Sequence, residues 1–231
     1  MADPSDTSKR MPDAKPIALP IALEERGRSA DARLSSPSAG RNKDVVAAVL
    51  ARVLPEKAKV LEIGSGTGEH AVTFAAARPD VTWRPTELDP ASRTSIAAWT
   101  AHEGLENVAA PIAVDTRELA WGVEDDAPFD ALVSLNMIHI APWEAGLGLL
   151  AGAERLLPPG GVLFLYGPFA RGGVHSAPSN AAFDASLKSR DPSWGVRDLD
   201  DVEREAAARG LRLAEVVEMP ANNLSVIFRK D

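Results

Sequence analysis

Lys59-Val60-Leu61-Glu62-Ile63, followed at once by Gly64-Ser65-Gly66-Thr67-Gly68, constrains this chain more than any other stretch. The first five residues form a short, mostly apolar strand. The next five place glycine at every second position, so the backbone can turn tightly and a ligand can lie against bare main chain. Apolar residues at helical spacing follow over 67–78, and the unit reads strand, glycine turn, helix.

The alternation continues. Strands are expected at 81–86, 108–114, 129–135 and 162–166, and helices at 42–54, 91–102 and 143–157. Residues 129–135 are nearly all apolar, as in a strand buried on both faces. Pro85 has no N–H and belongs at a strand's end or an unpaired position. After Gly167 the rhythm changes. Residues 168–180 read as a loop and 199–209 as a helix stopped by Gly210. Residues 211–218 and 224–228 read as two strands whose short connection makes them antiparallel neighbours. The expected fold class is α/β: a Rossmann-like, doubly wound, mostly parallel seven-stranded sheet with a C-terminal antiparallel strand. Such a sheet binds its ligand beyond the carboxyl ends of its strands.

Composition removes several function classes. Lys and Arg total 25 against 33 Asp and Glu, a formal net charge of −8 with no basic stripe. That argues against nucleic acid as a partner and leaves a small-molecule substrate. The absence of cysteine excludes disulfides, thiol nucleophiles and thiolate metal sites. His70, His102, His139 and His175 are scattered, so no metal site is expected. No run has the length or flanks of a signal peptide or membrane span, and a cytoplasmic monomer or homodimer is expected. Residues 1–33, rich in Pro, Ala, Ser, Asp and Arg, read as a flexible N-terminal arm, and 34–231 as one domain.

The ligand follows from charge. A dinucleotide fingerprint spaces its glycines G-x-G-x-x-G, whereas this loop is G-x-G-x-G and puts Glu69 where the last glycine falls. A carboxylate at that helix N-terminus disfavours a pyrophosphate and tolerates a cationic sulfonium. Glu62 is placed to accept from a ligand ammonium. Glu87 is placed to accept from both ribose hydroxyls, with Asp89 as runner-up. Asp115, ending the third strand, is placed to accept from an adenine amino group.

Glu62-x-Gly64-x-Gly66-x-Gly68 resembles motif I of class I methyltransferases, which use S-adenosyl-L-methionine (SAM) and release S-adenosyl-L-homocysteine (SAH). Five segments resemble the DUF938 family, relatives of methyltransferase-like protein 26. They are Ser36-Pro37-Ser38-Ala39-Gly40-Arg41-Asn42-Lys43, residues 135–143, Tyr166-Gly167-Pro168-Phe169, residues 191–198 and residues 219–224. The match runs from about Asp31 to Arg229; Gly40 departs from it, standing where the family pattern has glutamate. The resemblance implies that 34–231 form a class I methyltransferase domain. The cofactor-binding set is then Asn42, Glu62, Gly64, Ser65, Gly66, Gly68, Glu87, Leu88, Asp115, Thr116, Asn136 and Met137.

The acceptor belongs near the fourth strand's end. His139 is the candidate base there, its ordinary pKa of about 6.5 suiting a hydroxyl acceptor, with packing as the alternative role. Tyr166, Phe169, His175 and Trp194 are the candidate substrate pocket, which suggests a small aromatic or apolar acceptor methylated on oxygen. A non-catalytic SAM-binding interaction protein and a nicotinamide-dependent oxidoreductase are the competing readings.

Overall fold

The computed structural model describes residues 26–231. The expected arm therefore lies mostly outside the described residues. Residues 26–33, assigned above to the arm, instead belong to a small hairpin, β1 (Gly27–Arg28) and β2 (Leu34–Ser35). The hairpin packs on α3 (Pro90–Glu103). Leu34 N–H donates to Ser95 Oγ at 2.8 Å, Trp99 Nε1 donates to Leu34 O at 2.7 Å, and Arg33 lies over the Trp99 ring.

The main sheet is built from β3 (Lys59–Ile63), β4 (Thr82–Thr86), β5 (Ala131–Leu135), β6 (Val162–Gly167), β9 (Leu211–Met219) and β10 (Asn223–Lys230), in the order β4-β3-β5-β6-β10-β9. The first four run parallel. The last strand, β10, inserts antiparallel between β6 and β9. The sheet is six-stranded, not seven. Residues 107–112 run beside β4 but bridge it only at Trp83–Val108 and Thr86–Ile112. Two prolines explain this. Trp83 makes both of its ladder bonds to this segment, but Pro85 has no N–H to continue them. Pro111 has none to return to Pro85, and the pairing skips to Ile112.

Alternate strand residues serve opposite faces. Leu61, Ile63, Leu132, Leu163 and Leu165 meet Leu149 and Leu156 of α4 (Trp143–Leu156) and Val202 of α6 (Leu199–Ala207). Val60, Val133, Phe164 and Ile227 meet Val46 and Leu50 of α1 (Pro37–Val53) and Phe74 of α2 (Glu69–Ala77). Helix α1 starts five residues before the expected Asn42, because Pro37, with its φ preset, serves as the first helical residue after Ser36. Helix α2 starts at Glu69 rather than Thr67, since Gly68 is left-handed.

Between the small hairpin β7 (Ala170–Arg171), β8 (Val174–His175) and the turn at 191–195 lies α5 (Pro178–Arg190), which the sequence reading leaves unassigned. Its buried side carries Asn180 and Asp184 beside Leu187, so its inner face has little apolar signature.

Helix α4 is locked to the segment that follows Asp115. Thr116 Oγ1 donates to Ala145 O at 2.9 Å, and a Cβ at Gly148 would sit 1.9 Å from Thr116 O. In an open helix Gly→Ala stabilises by about 1 kcal/mol. Here Gly148→Ala is expected to destabilise by about 1–3 kcal/mol through overpacking, read as a lower urea midpoint at unchanged slope.

Candidate active site

Strands β3, β4 and β5 and the segment ending at Asp115 all deliver their carboxyl ends to one cavity. Its floor is the glycine loop. Gly64, Gly66 and Gly68 all have positive φ (73°, 57° and 95°), which side chains other than glycine rarely adopt. Two of them are also sterically confined, Gly64 by Met137 and Gly68 by Ile96. Gly66 has nothing within 4 Å of where its Cβ would be, so bare backbone faces the cavity.

Three carboxylates surround that loop. Glu62 is 1% exposed and accepts from Trp83 Nε1 at 2.9 Å; burial pushes its carboxyl up to about 7. Glu87 accepts from Gly66 N–H at 2.9 Å and Asp89 N–H at 3.3 Å, and burial raises its pKa too. Asp115 is held by Arg117 through Nε at 3.0 Å and Nη2 at 2.7 Å, which lowers its pKa. Ser65 and Leu88 line the same cavity, Ser65 Oγ accepting from Thr86 N–H at 3.2 Å. Thr116, Asn136 and Met137 complete the wall. Asp89 is resolved as a helix cap: its carboxylate accepts from Ala91 and Ser92 N–H, and Pro90 follows as the first helical residue.

Glu69 begins α2, and its carboxylate accepts from Ser36 N–H at 2.6 Å and Thr67 Oγ1 at 3.1 Å. The negative group at this helix N-terminus is thus the protein's own. The cavity offers carboxylates and bare amide backbone, a donor set that fits a cationic adenosyl ligand and opposes a pyrophosphate.

A second cavity, of about 670 Å³, shares Ser38 and Asn136 with the first. Asn136 is left-handed (φ 61°, ψ −12°), a conformation asparagine tolerates better than most residues, and its N–H donates to Tyr166 O at 2.7 Å. Asn42 lines this second cavity, not the first, and bonds His70 Nε2 at 2.7 Å. Tyr166 lines it too. Phe169, His175 and Trp194 line neither cavity. Phe169 and Trp194 are buried, Phe169 in the core, and His175 Nε2 faces Asp184 at 3.6 Å.

His139 also lines neither cavity and is fully buried. Its Nδ1 accepts from Arg197 N–H at 3.2 Å, which leaves the ring proton on Nε2, against Gly167. Burial pushes its pKa down to about 3. The buried ring lines neither cavity and packs edge-on against Phe169 within the loop. Arg197, which sequence reasoning missed as a functional residue, clamps the same loop: Nε donates to Ile138 O at 2.8 Å and Nη2 to Ala141 O at 2.7 Å. Its signal was the 191–198 segment, one of the five that carried the family resemblance. Members of the four others, Arg41, Asn136, Tyr166 and Asn223, line the second cavity, as do Asn180, Phe183 and Arg190 of the unassigned α5.

The architecture is shared with solved methyltransferases. The S-adenosylmethionine-dependent methyltransferase SibL in its apo form matches with a TM-score of 0.68 at 22% identity, over 84% of this chain and 55% of that one. An O-methyltransferase family protein from Burkholderia thailandensis matches with 0.71 at 16%, over 84% and 56%. The mitomycin 7-O-methyltransferase MmcR matches with 0.68 at 15%, over 83% and 54%. This chain spans little more than half the length of those proteins, and at such identities the likeness shows the Rossmann-like α/β fold. The model of the DUF938 family, described as a protein of unknown function, matches residues 33–230. On that match the chain belongs to the DUF938 family.

Proposed function

We propose that the protein is a SAM-dependent methyltransferase acting on an oxygen of a small molecule. The observation that carries the reading is the pair of joined cavities. One is ringed by Glu62, Glu87 and Asp115 around the glycine loop, and it meets the other at Ser38 and Asn136. When bound, SAM supplies an electrophilic methyl group. Glu87 takes the ribose hydroxyls, Asp115 and Thr116 the adenine edge, and Glu62 the cationic end. Asn136, fixed by Tyr166 O and the Arg197 clamp, holds the wall between donor and acceptor. Ordering two reactants at such a junction is the main demand of an in-line displacement. Glu69 at the helix N-terminus counts against a nicotinamide dinucleotide.

No imidazole or carboxylate lines the second cavity among the described residues. An oxygen that arrives ionised needs no base, so the reading does not require His139.

Calorimetric titration of the full chain with SAM and SAH is expected to show binding of both and none of NADH. Gly66→Arg, which fills the bare face of the loop, and Glu87→Ala are each expected to weaken SAH by at least about tenfold. Methyl-labelled SAM incubated with a small-molecule extract should pass label to a product. Label that stays on SAM would support a non-catalytic SAM-binding protein instead.

Glu62 gives a pH signature. Its carboxyl titrates higher in the folded than in the unfolded chain, so its contribution to stability is complete below about 4.5 and is lost as pH rises through about 7. Relative to Glu62→Gln, the ligand-free protein is expected to lose about 3 kcal/mol across that window in urea melts. Saturating SAM, by placing a cation beside the carboxylate, should flatten the slope.

A further inference from the structure

We infer that residues 26–36 form a strap over the first cavity, and that its docking on α3 sets how fast the cofactor enters and leaves. The inference rests on the SAM reading of that cavity and supplies its gate.

Position is the first observation. Arg26 at one end of the strap and Ser36 at the other both line the cavity, together with Glu87 and the glycine loop. Arg26 Nη1 donates to Ser92 Oγ at 3.0 Å, and that hydroxyl donates in turn to Asp89 Oδ2 at 2.7 Å. The guanidinium also interacts electrostatically with the carboxylates of Glu87 and Asp89. One end of the strap is therefore pinned at the rim where Glu87 would take the ribose.

Attachment is the second. Leu34 fastens the β1–β2 hairpin to α3: its N–H donates to Ser95 Oγ and its carbonyl accepts from Trp99 Nε1. Ser95 Oγ passes the connection on, donating to Thr67 O in the glycine loop at 2.7 Å. At the far end Ser36 N–H donates to Glu69 Oε2, which also accepts from Thr67 Oγ1. Two routes thus join the strap to Thr67, itself part of the cavity wall. An ordered loop supports the docked strap, so a ligand resting on that loop favours docking.

Weakness is the third. No residue from 26 to 36 is buried, and each strand of the hairpin is two residues long. Polar bonds rather than apolar burial hold the strap down. A segment with few buried apolar contacts opens at far less cost than the whole fold. Neither face of the main sheet draws a core residue from 26–36, so opening leaves the core intact.

The test follows SAH on the full chain. SAH at about a hundred times its Kd is expected to slow amide hydrogen exchange across residues 27–36 by about tenfold or more. Trp99→Phe is the discriminating variant, because Trp99 lies outside the cavity wall and the substitution removes the bond to Leu34 O while keeping an aromatic ring. By surface plasmon resonance it should speed both association and dissociation of SAH severalfold, with affinity changed less than either rate. Arg26→Gln should speed dissociation in the same way. Circular dichroism melts should show both variants folded. A lowered melting temperature with SAH rates unchanged would mark a static brace and overturn the inference, as would exchange across 27–36 that ignores SAH. SAH that fails to bind in calorimetry overturns the cofactor reading and the strap with it. SAH that binds with these rates and this exchange unaltered overturns the strap alone.

Discussion

The bond from Gly66 N–H to Glu87 Oε2 ties the end of one strand to the turn that follows its neighbour. It holds the glycine loop in a left-handed path, with the loop's backbone facing a cavity. Around it the same logic repeats: Trp83 Nε1 reaches Glu62, Ser65 exchanges bonds with Thr86, and Ser134 Oγ donates to Ile63 O at 2.9 Å. A buried carboxylate is costly unless it is bonded or left protonated. Glu62 is both bonded and raised to about 7, so the fold holds it at the edge of ionisation where a cation would meet it. The sheet, the loop and the first cavity are therefore built together.

The second half of the site depends on a different restraint. Past β5 the chain turns sharply at a left-handed Asn136 and runs over His139, whose ring stands edge-on to Phe169 at 4.9 Å. Arg197 holds the carbonyls of that turn, and Gly195 N–H bonds His139 O. The segment after β8 thus acts as a buckle on the strand end, with α5 and the turn at Pro220–Asn222 closing the second cavity. Asn180 joins these two by donating to Asn222 O at 2.9 Å. The two cavities share Ser38 and Asn136 in their walls.

Strands buried on both faces announce themselves as apolar runs, and the glycine loop by its spacing, which is why the parallel core and the glycine-loop wall of the first cavity were legible. Residues 107–112 were not, because strand propensity does not register that Pro85 and Pro111 remove facing donors. Helix α5 escaped notice because its inner face is Asn180 and Asp184, whose burial rests on bonds to residues 176, 196 and 222. Asp89 as the cap of α3 has a local signature, Asp-Pro, an N-cap residue followed by a first-turn proline. The orientation of His139 has none, since it depends on Asn136 adopting positive φ and on Arg197, 58 residues away in sequence. Position along a strand is local information; the direction in which a side chain's lone pair points is set by partners distant in sequence.

The most direct test of the central claim is a crystal structure of the full chain soaked with SAH. The account places the ribose against Glu87, the adenine beside Asp115 and Thr116, and the sulfur toward Asn136 at the mouth of the second cavity. SAH bound elsewhere, or bound with the sulfur facing away from that junction, would contradict it.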